Sequence, residues 1–225
     1  MKMRESYSVF DITGPIIIGP SSSHTAGACR LANAAHAILG QEVARAVIHV
    51  YGSFAETLSG HGTDKALAGG LLGIHPDDES LVDAFKIAKK KGMQYSFEVE
   101  DEVPANANMV LFELTGAAGL SMSIRGASIG GGSIMVDQID STFLQISLKY
   151  NTLIVDHLDK AGAVMDVARI LAKHNINIAS MNVYRQGKHG RAYMILETDE
   201  EVGREAKDMI AALPDMHTIY IKKLY

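Results

Sequence analysis

The sequence predicts an α+β protein in two parts: an irregular N-terminal α/β domain over residues 1–144 and a regular C-terminal β-α-β-β-α-β domain over residues 150–225. Three observations predict it. At 225 residues and 47% hydrophobic, the chain has material for one or two real cores. The segment from Val9 to Asp140 is glycine-rich and changes pattern irregularly. From Asn151 onward, strand and helix patterns alternate cleanly, and the change of character falls near Gln145. The join is therefore expected within residues 141–150.

In the first part, an alanine-rich helix is expected after Thr25, and RAVIHVYGS (Arg45–Ser53) reads as a strand. Leu81 to Lys91 has helical spacing, with Leu81, Val82, Phe85 and Ala88 apolar. It ends in Lys89, Lys90 and Lys91, where cations suit the helix dipole. Tyr95–Val99, Met109–Thr115 and Leu120–Arg125 read as strands, the last two forming a hairpin around Gly116 and Gly119. GASIGGGSIMVDQID reads as a strand distorted by its glycines, a bulge that admits a close neighbour.

In the second part, Asn151–Leu158 is a strand. Ala161–His174 is a helix with Val164, Ala168 and Leu171 on one stripe, closed by Asn175, which tolerates the left-handed conformation. Ile176–Arg185 and Ala192–Thr198 are strands around a turn at Gly187–Gly190. Val202–Leu213 is a helix and His217–Lys223 the last strand. This is the ferredoxin-like order.

Composition narrows the function. The chain holds no apolar run near the roughly 20 residues that span a bilayer. MKMRESYSVFDITG lacks the apolar segment of a signal peptide, so a cytoplasmic location is expected. The net charge is −5, which disfavours a nucleic-acid partner. The ferredoxin-like fold also hosts RNA-binding domains, but GKHGRAYMILE offers only Tyr193 for stacking on bases. A single cysteine, Cys29, makes no internal disulfide and cannot by itself hold a metal cluster. No zinc-ligand spacing is legible, and GASIGGGS lacks the lysine of a P-loop and the helix of a dinucleotide fingerprint.

Two stretches carry chemistry. In GPSSSHTAGACRLANAA, Ser21, Ser22, Ser23, His24 and Thr25 precede a helix. The first N–H groups of a helix lack internal partners and carry partial positive charge, so a carboxylate or phosphate is the natural guest. Hydroxyls add donors without adding charge. Taken alone, the run reads as a plain cap at Ser23 or Thr25 with the rest as loop, since such caps are common. In GHGTDKALAGG, His61 stands between Gly60 and Gly62, with Thr63 and Asp64 before a second short helix. Alone, GHGTD reads equally as a tight turn with a cap at Thr63 or Asp64. Two histidines at hydroxyl-bearing helix starts suggest convergence on one small anion, with a neutral imidazole as hydrogen-bond partner or proton carrier. His36, His49 and His75 read as structural or loop residues.

GPSSSHTAGACRLANAA, GHGTDKALAGG and SIGGGS together resemble the β subunit of the two-chain, bacterial iron–sulfur L-serine dehydratases, which work without pyridoxal phosphate. HLDKAGAVMDVARILAKHNINIASMNVYR resembles an ACT domain. The resemblance spans nearly the whole chain. It implies an L-serine ammonia-lyase that forms pyruvate and ammonia. It further implies a [4Fe–4S] cluster held by cysteines of a partner α chain, with one iron acting as a Lewis acid on the leaving hydroxyl. By this resemblance Ser22, Ser23, Thr25 and Thr63 bind the substrate, and His24 and His61 are the catalytic candidates on this chain, the base itself being left open between them and the α chain. The ACT ligand loop would be Asp159, Lys160, Ala161 and Gly162, and the ACT sheet edge would favour self-association. Two other readings stand beside this one: a non-catalytic amino-acid sensor that binds serine through the same grip, and a scaffold for oligomerisation.

Overall fold

The computed structural model describes residues 17–223. It has two layered units. The segment MKMRESYSVFDITG lies outside the described residues.

The first unit opens with a π-helical turn, Ser22–Gly27, that runs directly into α1 (Ala28–Leu39). The turn is wide because the Ser21 carbonyl accepts from both Thr25 (3.0 Å) and Ala26 (3.2 Å), the second bond skipping five residues. Alanines make α1 helical, and Gly40 closes it at φ 68°. β1 (Val43–Tyr51) then leads to a single helical turn, α2 (Gly52–Glu56), and to α3 (Thr63–Leu71). The predicted helix from Leu81 divides: a 3₁₀ turn, Glu79–Asp83, precedes α4 (Ala84–Lys91). The Asp78 carboxylate accepts from Ser80 N–H at 2.8 Å and starts the tighter turn, which leaves Val82 exposed rather than on the apolar stripe.

β2 (Gln94–Glu100), β3 (Met109–Gly116), β4 (Ser121–Gly130), β5 (Ser133–Ile139) and β6 (Thr142–Ile146) complete a six-stranded sheet ordered β2-β1-β3-β4-β5-β6. β1 and β2 are parallel across the helical crossover, and the other pairs are antiparallel. The glycine run does not bulge one strand as expected. Gly130, Gly131 and Gly132 have φ of 102°, 59° and 77°, conformations that glycine adopts cheaply, and they turn the chain between β4 and β5. The distortion survives as a register shift between Ser128 and Gly130. β6 was not foreseen, and the domain end set at 144 falls inside it.

α1 and α3 cross closely at Gly70 and share one core with the sheet, including Leu31, Ile38, Leu67, Ile48, Phe112 and Ile124. Along β1 the residues alternate: Ala46, Ile48 and Val50 are buried toward the helices, while Val47, His49 and Tyr51 lie on the more open face.

The second unit is β7 (Asn151–Leu158), α5 (Ala163–Lys173), β8 (Ile178–Arg185), β9 (Arg191–Thr198), α6 (Arg204–Ala211) and β10 (Met216–Ile221). Its sheet is ordered β10-β7-β9-β8 and is antiparallel throughout. The buried stripe of α5 is Ala163, Val167, Ile170 and Leu171; Val164, expected there, points to solvent. Asn175 does close that helix, at φ 55°.

The second sheet is covered on both faces. Leu153, Val155, Met194 and Leu196 pack with Val167, Leu171 and Ile210 of its own helices. Ile154, Tyr193, Ile195 and Ile221 instead join the core of the first unit. That is why the middle of β7, Leu153–Val155, is continuously apolar rather than alternating. Gln186 Nε2 donates to Ser141 Oγ (3.0 Å) and Thr142 Oγ1 (2.9 Å), and Ser147 Oγ donates to Glu197 (2.9 Å), adding polar ties between the units. Among the described residues no helix is long and apolar enough to cross a membrane.

Candidate active site at the head of the first helix

The two histidine motifs meet. His24 sits in the π-turn and His61 in the loop that leads into α3, and their ring centroids lie 5.4 Å apart. The loop is pinned to the turn by Thr25, whose hydroxyl donates to the His61 carbonyl at 3.2 Å. Thr25 is buried and spends its proton on this bond, so it builds the site from beneath. Gly19, at φ 145°, leaves room for it: a Cβ there would lie 2.5 Å from Thr25 Cγ2.

His24 is held on every side. Ser21 Oγ accepts from the His24 backbone N–H at 3.0 Å and lies 3.2 Å from Nδ1. Ser53 Oγ lies 2.9 Å from Nε2. Phe54, fully buried, presents a T-shaped contact at 5.7 Å. Burial, and then the neighbouring His61, hold the His24 pKa below the ordinary histidine value, so the ring is neutral near pH 7. The His61 side chain is exposed, and its ring nitrogens have no hydrogen-bond partner among the described residues.

Ser22 and Ser23, half-buried at the first positions of the turn, have hydroxyls without a hydrogen-bond partner among the described residues. Thr63 is fully buried, and its Oγ1 has no hydrogen-bond partner among the described residues. It does not cap α3; that place belongs to Gly62 at φ 69°. Asp64 accepts from Lys65 N–H at 2.7 Å.

Several contributors escaped sequence reasoning. Ser53 and Phe54 follow a strand end and carry no local signature. Ser128, in the SIGGGS run, is buried with an unpartnered Oγ; a Cβ on Gly27 would fall 2.1 Å from that oxygen, so glycine is what lets β4 seat against the turn. Arg30 Nη1 donates to the Gly132 carbonyl at 2.8 Å and ties α1 to the glycine turn.

The remaining candidates lie elsewhere. His36 packs within α1, where burial lowers its pKa. His75 is an exposed loop residue. His49, on the open face of the first sheet, sits among carboxylates: Nδ1 is 2.7 Å from Glu100 and 3.7 Å from Glu98, and Nε2 is 3.8 Å from Glu113. In the second unit, Asp159 accepts from His189 N–H (3.2 Å) and Arg185 (3.4 Å), and Lys160 Nζ donates to the Pro214 carbonyl (3.2 Å). Both side chains brace neighbouring turns, while Ala161 and Gly162, the latter at φ 92°, are exposed.

Cys29 is fully buried in α1. Burial pushes its thiol up to about 12, and Sγ donates to the Ile74 carbonyl at 3.2 Å. An iron–sulfur cluster needs several thiolates, so the residues of this chain do not fit one. The head of α1 offers something different: unengaged hydroxyls, a helix start and two imidazoles, a set suited to holding a small carboxylate and moving a proton beside it.

The comparisons with known proteins agree with this layout. A family model described as "Serine dehydratase beta chain" matches residues 8–139, and one described as "ACT domain" matches residues 151–215. The chain is 41% identical over 209 residues to the probable L-serine dehydratase, beta chain, of Bacillus subtilis, covering 93% of this chain and 94% of that one. It is 34% identical to the L-serine dehydratase, beta chain, of Peptoniphilus asaccharolyticus, covering 91% and 92%. A weaker similarity, 25% over 69% of this chain, reaches 30% of the D-3-phosphoglycerate dehydrogenase of Bacillus subtilis. The chain therefore belongs to the serine dehydratase β-chain family, with an ACT domain as its second unit.

Proposed function

We propose that this chain is the substrate-gripping half of an L-serine ammonia-lyase, active only with a cysteine-bearing α chain that holds a [4Fe–4S] cluster. The observation that carries this reading is the meeting of the two motifs, with His24 and His61 5.4 Å apart beside the unengaged hydroxyls of Ser22 and Ser23. The serine carboxylate binds at the head of the π-turn, where the Ser22 and Ser23 hydroxyls are unengaged and the dipole favours an anion. Thr63 offers a further buried hydroxyl. His24, with both nitrogens engaged, orients, and His61, with none, is the imidazole of this chain free to exchange a proton with the substrate. The ACT unit supplies a sheet edge for self-association and the Ala161–Gly162 backbone for an effector.

The test is anaerobic conversion of serine to pyruvate, assayed with this chain alone and with its partner after cluster reconstitution. Turnover only in the mixture is the expected result. A dead mixture, with serine bound tightly by this chain alone, would favour the sensor reading. That second reading draws on the similarity to part of a dehydrogenase, a protein of different named activity.

A further inference from the structure

We propose that Ser53 is a positioning residue of this site: its hydroxyl accepts the Nε2 proton of His24 and fixes that imidazole as the neutral Nε2–H tautomer. The inference rests on the serine-lyase reading only for its catalytic consequence; the tautomer is a property of this chain.

The His24 backbone N–H donates to Ser21 Oγ at 3.0 Å. Ser21 Oγ therefore has its one proton left to give, and Nδ1 lies 3.2 Å away. A ring that accepts at Nδ1 carries its proton on Nε2, which faces Ser53 Oγ at 2.9 Å. Ser53 Oγ takes that proton on one of its two lone pairs. Ser21 Oγ and the imidazole each accept once and donate once, and such one-directional chains polarise cooperatively. The reverse assignment is worse. It points two N–H groups of the same residue at Ser21 Oγ and converges their partial positive charges there.

Ser53 is built to stay in place. Its N–H donates to the Ala107 carbonyl at 2.7 Å, and its own carbonyl accepts the Thr57 hydroxyl at 2.7 Å. Gly52, at φ 53°, lets the loop approach; a Cβ there would lie 2.6 Å from the Ala107 oxygen. The neighbouring Phe54 closes the ring's edge. The depressed basicity of His24 agrees with a ring kept neutral.

The experiment uses the full chain labelled with ¹⁵N-histidine and long-range ¹H–¹⁵N correlation spectra. Wild type is expected to show His24 as Nε2–H. Ser53→Ala is expected to shift the ring to a mixture of tautomers, and Ser53→Thr to restore it. An Nδ1–H ring in wild type, or an unchanged ring in Ser53→Ala, overturns the proposal. In the assembled enzyme, Ser53→Ala is expected to lower kcat about tenfold or more with little change in KM, and Ser53→Thr to recover it. Unchanged turnover beside an active wild type also overturns it. An inactive wild-type mixture counts against the serine reading instead, and the ring spectra then decide alone.

Discussion

Gly70→Ala tests the packing that brings the two motifs together. A Cβ at this position would lie 2.3 Å from the Cys29 carbonyl oxygen, 2.6 Å from Ala32 Cβ and 3.0 Å from Asn33 N. All three neighbours belong to α1, and none is a side chain that can rotate away. Ordinary contact begins at 3.4 Å, so α1 and α3 must part by about 1 Å. Overpacking of this kind costs about 1–3 kcal/mol, and rigid neighbours put this site at the upper end. Alanine returns up to about 1 kcal/mol through helix propensity. The net loss is about 2 kcal/mol, which for a chain of this size lowers Tm by roughly 4–8 °C. Gly60→Ala is the control, because nothing lies within 4 Å of its added methyl. Thermal unfolding followed by circular dichroism compares the two. Since the head of α1 carries His24 and the loop into α3 carries His61, Gly70→Ala should also reduce turnover of the assembled enzyme. A Gly70→Ala Tm no lower than that of Gly60→Ala would refute the reasoning.

Other outcomes follow from the same geometry. His61→Ala should cut kcat by about a hundredfold or more while leaving Tm nearly unchanged, because the ring is exposed and makes no hydrogen bond among the described residues; equal turnover removes it from the site. If the proposed cluster is held by a partner chain, Cys29→Ser should leave the iron content of the reconstituted mixture intact, and iron analysis showing a loss would mean that this buried thiol is a ligand. The folded-state pKa values of His24 and His36 are lowered, so folding favours their neutral forms: this stability is present above about pH 6.5 and is lost as the pH falls through the folded values. Denaturant midpoints between pH 7 and 5 should decline, less steeply in His36→Gln; identical slopes would reject that linkage. Tyr193, buried where the two units meet and facing Asp140 and Asp156, has its pKa pushed up to about 12, so folding favours the phenol. Its contribution is present below about pH 10 and is lost as the pH rises through 12; Tyr193→Phe should flatten the alkaline limb of the stability curve.

The second unit was legible because its elements are periodic and end in clear stop signals, such as Asn175. The buried stripe on α5 lies beside the expected one because Ala163, Val167 and Ile170 repeat at the same spacing as Val164, Ala168 and Leu171, and periodicity alone does not choose between two adjacent apolar faces. β6 escaped because TFLQI is only five residues long and sits between a tight turn and the linker. The glycine run reads as a bulge because sequence shows where positive φ is allowed, not how many successive residues use it. The site was half legible. Each motif alone reads as a cap, and only their pairing suggested convergence. The π-turn has no sequence period, and Ser53 reaches His24 across 29 residues with nothing nearby to announce it.

The packing of the second sheet governs how it can grow. With α5 and α6 on one face and the first unit on the other, neither face is left for another sheet to stack upon. Any added strand would have to join laterally. β8 ends the sheet, bonded to β9 on one side only, with Ala179, Asn182 and Val183 exposed along it. A second copy aligned there would continue the ladder strand by strand and double a four-stranded sheet to eight. By occupying one face, the first unit leaves the sheet only its edges, β8 and β10, as places where a further strand could add.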